Sequence, residues 1–224
     1  ADLSVVGDAG AFSRALAGRL GAARPTESEF LTFKITLGNT SEGATSIDVV
    51  TARAETYPEP AALPDVVPSS IKDDLERRDF TVNSMGISLS DSDWGNLVDP
   101  MNGLGDIMRK RIRVLHDASF IDDPTRLFRA VRYAVRLDFS IDSTTKSLID
   151  DSLGKVDRLS GARLRNEFEL MLGEPKRVEI LHEAEDLGLL AAISPGLRIG
   201  SRSLEVMESG ASTRFEDLLA LSTF

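Results

Sequence analysis

The chain has 224 residues, 42 % of them apolar and 28 % charged, with a net charge of −10 and no cysteine. That length can hold one large domain or two modest ones with real cores, and the composition is that of a soluble globular protein. The acidic balance speaks against a general nucleic-acid binder, and the missing cysteine excludes disulfides, thiolate metal sites and a cysteine nucleophile, as fits a reducing cytoplasm.

The first part of the chain alternates strand and helix signals. Residues 3–6, "LSVV", predict a strand, and "AGAFSRALAGRLG" places Phe12, Leu16 and Leu20 on one helical face with Gly21 as stop. "LTFKITLG" and the β-branched "TSIDVVTAR" predict two strands, with "TSEGAT" as the hairpin loop between them. The four prolines of "YPEPAALPDVVPSS" predict a loop over residues 57–70, followed by a helix starting at Ser69 or Ser70. Two short strands, "GISLS" and "NLVDP", flank the turn "DSDWG". "LVDPMNGLGDIMRKRIRVL" is turn chemistry leading into a helix over residues 104–110 and a strand over 112–115; it reads as a structural connector. From about Arg113 onward the pattern is helical. No apolar run is long enough to span a bilayer, and no signal peptide is present.

Several residues have chemistry to offer. Asp2 enters the first strand, and Asp48 projects from the third with Ile47 and Val49 on the opposite side. Carboxylates on strands are candidate ligands for a hard cation, though taken alone each reads better as a solvent-facing acid on an edge strand. In "DLERRDFTVNSMG", the adjacent Arg77 and Arg78 offer paired donors to phosphate, or suit a helix C-terminus. "IDDPTRLFRAVRYAVRL" begins with Asp122 and Asp123, sets Pro124 in the first turn of a helix, and then carries Arg126, Arg129, Arg132 and Arg136. These four fall within about 120° of arc, where like charges repel, so an external anion is the better explanation than surface ion pairing. The local charge supports this: residues 107–136 hold eight Lys/Arg against three Asp, while residues 173–224 hold five against nine Asp/Glu.

Together, "RRDFTVNSM", "LVDPMNGLGDI…IRVL", "DDPTRLFRAVRYAVRLDF" and "RLRNEFELML" stand in the order and spacing of the bacterial-type (class II) tRNA nucleotidyltransferase and poly(A) polymerase family, which the chain resembles over most of its length. The resemblance implies an α+β fold: a polymerase-β-like nucleotidyltransferase head at residues 1–112, an all-helical neck at 113–172 and the start of a helical body at 173–224. It implies template-independent addition of CMP and AMP from CTP and ATP to tRNA 3′ ends, with Mg²⁺ held by Asp2 and Asp48. Arg78 and Asp79 are expected by the ribose and Asn83 near the phosphates. Asp123 and Arg126 are expected to read the base edge, Arg129 and Arg132 to hold phosphate, and Arg163 and Glu167 to brace the base-reading helix. The chain departs from the family at Asp122, usually Glu, and at Leu31, where the family's H-x-x-F-G-T pattern has Gly. The first acid of the family's D-x-D pair would fall just before Ala1, with a glycine-rich loop further upstream, so the chain is expected to be part of a longer protein. Two alternatives stay open at this point: a poly(A) polymerase, although no "GRRF" segment precedes Asp48, and a catalytically incomplete RNA- or nucleotide-binding module.

Overall fold

A computed structural model of the chain describes residues 2–28, 31–40 and 43–200. These fall into two compact units: the chain up to Thr56 with Pro64–Arg77, and Tyr57–Leu63 with the chain from Arg78 onward.

The first unit contains β1 (Asp2–Val5), α1 (Ala9–Leu20), β2 (Thr26–Glu27), β3 (Thr32–Thr40), β4 (Gly43–Thr51), β5 (Arg53–Thr56), β6 (Asp65–Pro68) and α2 (Ile71–Glu76). Helix α1 starts where Asp8 accepts from the Ala11 N–H and stops at Gly21, whose φ of 64° needs no Cβ. Four strands form a sheet in the order β1-β4-β3-β2, with β1 parallel to β4 and the other pairings antiparallel. Strand alternation puts Phe33, Ile35, Ile47 and Val49 on one face, where they pack against Ala9, Leu16 and Ala17 of α1. Its polar face carries Asp2, Lys34 and Asp48. Residues 29 and 30, and residues 41 and 42 of the expected hairpin loop, lie outside the described residues.

The loop expected over residues 57–70 is interrupted. Strand β6 occupies Asp65–Pro68 and pairs antiparallel with β5. Val66 and Val67 are β-branched, and Pro68 sits at the strand end of a two-stranded ribbon, where a missing N–H is tolerated. Helix α2 begins as expected: Ser70 and Asp73 form a reciprocal capping box.

The second unit holds a 3₁₀ turn (Thr81–Asn83), β7 (Gly86–Ile87), β8 (Leu97–Val98), α3 (Gly103–Met108), β9 (Arg111–Ile112), α4 (Ser119–Asp122), α5 (Thr125–Leu137), β10 (Ser140–Ile141), α6 (Ser143–Ser152), a second 3₁₀ stretch (Leu153–Arg158), α7 (Gly161–Leu172), α8 (Arg177–Asp186) and α9 (Leu189–Ile193). Helix α3 ends earlier than expected because Lys110 takes a φ of 52°. The strand expected over 112–115 shrinks to β9, with Val114 bridging Phe80 beyond it. Between Ser119 and Ile193 the elements are helical apart from β10, which pairs in parallel with β9; residues 201–224, the end of the expected body, lie outside the described residues.

Helix α5 is the centre of this unit. Leu127, Phe128, Ala130 and Val131 are fully buried, in one cluster with Phe80, Phe120, Ile149, Met171, Ile180 and Leu189. Among the described residues no helix is long and apolar enough to cross a membrane.

Candidate functional site

The candidate residues collect in two clusters, one in each unit. In the first, the register of β1 on β4 sets Asp2 directly beside Asp48, and the register of β3 on β4 sets Lys34 on Asp48's other side. Register partners point to the same face of a sheet, so the three form a row across three strands. Asp48 Oδ1 is buried without a hydrogen bond. The Lys34 ammonium lies 3.6 Å from it, too far to donate one. Two adjacent carboxylates, one with an orphaned oxygen, suit an oxygen-seeking cation, and the residues present fit a divalent ion of that kind. No group of three or more His, Cys, Asp and Glu able to hold a metal occurs among the described residues, so the two carboxylates alone carry the fit. Lys34 was not singled out in the sequence: alternation within β3 gives its face, but only the register shows its neighbour.

The adjacent arginines Arg77 and Arg78 part company. Arg77 stays in the first unit, donating to Asp74 at 2.8 and 3.1 Å and to Glu55 at 2.7 Å. Asp74 is fully buried and also accepts from Ser4 Oγ at 3.2 Å, so Arg77 is a structural cation. Arg78 belongs to the second unit and donates to the Asn83 carbonyl at 3.2 Å.

In the second unit the remaining candidates form a connected network. Asp79 Oδ1 accepts from the Phe80 N–H at 2.8 Å and the Asn83 side chain at 3.0 Å, while Oδ2 accepts two bonds from Arg129, at 2.9 and 2.5 Å. Asp123 Oδ1 accepts from the Thr125 N–H at 3.1 Å and hydroxyl at 2.6 Å, and from Arg163 at 2.6 Å. Its Oδ2 accepts from no described residue. Arg163 also donates to the Ala61 carbonyl at 2.8 Å. The Arg126 guanidinium is buried and donates to Ser119 Oγ at 2.8 Å and Tyr57 Oη at 3.4 Å. Asp123 and Arg126 thus stand at the head of α5, each held by a partner from another element.

The arginine stripe is compensated from within. Asp79 meets Arg129; Glu167 and Glu174 meet Arg132 at 4.0 and 3.7 Å; and Glu174 meets Arg136 at 3.4 Å. The Tyr133 ring takes cation–π contacts from all three guanidiniums, at 4.7 to 5.2 Å. The argument that an uncompensated stripe needs an external anion is therefore corrected: the acids come from α7, the α7–α8 turn and the segment before the 3₁₀ turn, too far along the chain for helix spacing to show. Arg129, with 30 % of its side chain exposed, is open to a ligand, whereas Arg132, at 7 %, contributes its charge from below the surface. Burial pushes the Glu167 carboxyl above the usual carboxylate range, against the pull of Arg129 and Arg132.

The connector of residues 97–115 anchors this network. Asp99 accepts from the N–H groups of Gly103 and Leu104 at 2.6 and 3.0 Å, capping α3. A Cβ on Gly103 would stand 2.1 Å from the Thr81 carbonyl oxygen, so only glycine allows that approach. Asp106 is fully buried and accepts from Thr81 Oγ1 at 2.7 Å, Arg113 at 2.8 Å and Arg111 at 2.9 Å. Burial would raise its carboxyl, but the bonds from Thr81 and Arg113 outweigh this and hold it below the ordinary range. The 3₁₀ turn that carries Asn83 is thereby fixed. Asp106, Tyr57, Ser119, Tyr133 and Glu174 are supporting residues that periodicity and spacing did not reveal.

Two family models match the chain. Residues 1–113 match the family described as the poly A polymerase head domain, and residues 138–199 match a probable RNA and SrmB-binding site of polymerase A. An A-adding tRNA nucleotidyltransferase of Geobacter sulfurreducens is 39 % identical over 209 residues, covering 92 % of this chain and 23 % of the relative. A solved CCA-adding enzyme in an apo form superposes with a TM-score of 0.82 at 36 % identity, covering 92 % of this chain and 48 % of that one. A tRNA nucleotidyltransferase complexed with a primer tRNA and an incoming ATP analog superposes with a TM-score of 0.76 at 35 % identity, covering 91 % and 56 %. The chain thus spans 23 to 56 % of the length of these proteins.

Proposed function

The chain belongs to the poly(A) polymerase head-domain family of nucleotidyltransferases, and from that premise we propose that it carries the nucleotide-transferring part of a tRNA nucleotidyltransferase, which adds CMP or AMP from CTP or ATP to a tRNA 3′ end. We assign residues 1–112 to the catalytic head, 113–172 to the neck that reads the nucleotide and 173–224 to the start of the body, in a protein that works in the cytoplasm.

One observation carries the reading. Asp123 is clamped through Oδ1 by Thr125 and Arg163, and Oδ2 is left as an open acceptor. Cytosine and adenine both present an exocyclic amino donor on the pairing edge, where uracil and guanine present a carbonyl oxygen. A fixed carboxylate therefore accepts from C and A and repels U and G. The buried Arg126 beside it supplies donors to the ring acceptors of the same edge. Protein groups thus take the place of a template base.

The other residues orient the rest of the nucleotide. Asp79, held by Asn83 and the Phe80 N–H, suits a ribose hydroxyl, with Arg78 beside it. Asn83 and Arg129 suit the phosphates, with Arg132 adding charge from behind. In the transfer, the tRNA 3′-oxygen forms a bond to the α-phosphorus, the bond to the β-phosphate oxygen breaks, and pyrophosphate leaves. Positioning and charge stabilisation supply most of the acceleration. Asp2 and Asp48 would hold a divalent cation, which we take to be Mg²⁺, and the chemistry it would supply in the transfer is charge stabilisation.

The 39 % identity to an A-adding relative favours addition of the terminal AMP. The test is to incubate the full-length protein with tRNAs ending before CCA and after CC, with each NTP separately. Single AMP addition to the CC-ended tRNA supports the reading. Long A tails on unrelated RNA would identify a poly(A) polymerase instead.

A further inference from the structure

Lys34 lies beside the acid pair and has no role in the assignment above. Its register partner is Asp48, whose own partner on the other side is Asp2. The ammonium stands 3.6 Å from Asp48 Oδ1, a buried oxygen with no hydrogen bond. The contact therefore has the charge of an ion pair but not its directional bond. The Lys34 side chain is 55 % exposed on a flexible four-carbon stem, and it can leave at little cost.

We propose that Lys34 is the resident counter-charge of the Asp2–Asp48 pair, and that a divalent cation takes its place. Two carboxylates side by side repel, and one ammonium on the flank relieves that repulsion without filling the space between them. A divalent cation between the carboxylates brings twice the charge and satisfies Asp48 Oδ1. The same cation repels the ammonium, which swings away from the sheet. Lys34 thus sets how much cation the free protein holds: it competes with the ion and weakens the nucleotide-free site. The proposal rests on the reading of Asp2 and Asp48 as cation ligands.

The test is direct titration of Mn²⁺ into the nucleotide-free full-length protein, followed by electron paramagnetic resonance of the free ion. Lys34→Met keeps length and removes charge, Lys34→Arg keeps charge, and Asp48→Asn removes the ligand. Removing one positive charge a few ångström from a divalent ion in a solvent-exposed site is expected to tighten Mn²⁺ binding by roughly three- to tenfold in Lys34→Met. Lys34→Arg should stay within about twofold of the unmutated protein. Binding in Lys34→Met equal to or weaker than the unmutated protein, with Asp48→Asn still abolishing it, overturns the proposal alone. If Asp48→Asn binds Mn²⁺ as well as the unmutated protein, the acid pair is not the cation site and the underlying reading falls too.

Discussion

Asp79 grips Arg129 through a single carboxylate oxygen, which accepts from two guanidinium nitrogens at 2.9 and 2.5 Å. The other oxygen is used by Asn83 and the Phe80 N–H. One carboxylate thus ties the segment after α2 to the middle of α5 and aims a partly exposed cation of the stripe. Arg129→Ala is expected to weaken binding of CTP and ATP alike, by about tenfold, the loss of one charge-assisted contact. Asp79→Asn should weaken both by less, since Arg129 stays but is aimed less firmly. Equilibrium titration with each nucleotide checks this, and unchanged affinity in Arg129→Ala would make it a structural residue.

At Asp123 the expected change is in choice rather than in strength. Asp123→Ala should erode the preference for CTP and ATP over UTP and GTP while triphosphate affinity changes little. Comparing kcat/KM for all four nucleotides decides the matter, and an equal loss for all four contradicts base reading. Arg163→Ala should reproduce part of the effect, because it frees the oxygen that Arg163 now clamps.

Gly103→Ala should destabilise the second unit. The added Cβ would meet a backbone oxygen at 2.1 Å, which only a backbone shift can relieve. A loss of about 1–3 kcal/mol in chemical denaturation is expected. Retained stability would mean that the connector gives way more easily than its contacts suggest.

His116 supplies a pH dependence. Burial lowers its pKa from the ordinary 6.5, the Arg126 guanidinium adds to this, and Asp122 and Asp117 oppose it. The folded state therefore binds its proton less readily than the unfolded chain does. The stability this gives is present above about pH 6.5 and is lost as pH falls through the lowered value. His116→Gln should flatten that slope. Denaturant melts of both proteins across this range test it, and parallel slopes would show that His116 does not contribute.

Leu31 stands with a φ of 55°, in the left-handed region. Leu31→Gly should relieve strain of about 1–2 kcal/mol, part of which the greater freedom of glycine in the unfolded chain takes back. A net gain of about 0.5–1 kcal/mol in thermal or denaturant melts is expected. The departure from the family pattern noted in the sequence is thus also a local backbone cost.

Periodicity and caps made most elements legible. The alternation in "LTFKITLG", the β-branched "TSIDVVTAR" and the helical pattern after Arg113 marked elements that carry the two cores. Strand β6 was hidden because prolines surround Val66 and Val67, and proline density outweighs two β-branched residues in any local window. The candidate residues were legible as motifs, and the structure shows how those of the second unit are held together. Their partners were not legible: Glu174 lies 42 positions from Arg132 and 38 from Arg136, and Glu167 lies 35 from Arg132, roughly ten turns of helix or more away in sequence. Pairing at such a distance is set by packing, which no local pattern records.

Asp2 and Asp48 come from the two ends of a long chain path and meet only through a parallel pairing of β1 with β4. A parallel neighbour cannot be reached by a tight turn, so the pair forms only when β1 and β4 are joined across the intervening chain. Any ion the pair accepts therefore binds the native state alone. At a hundred times its dissociation constant such an ion would add about 2.7 kcal/mol to folding stability. The melting temperature of the first unit then becomes a reading of ion occupancy, obtainable without nucleotide, RNA or turnover.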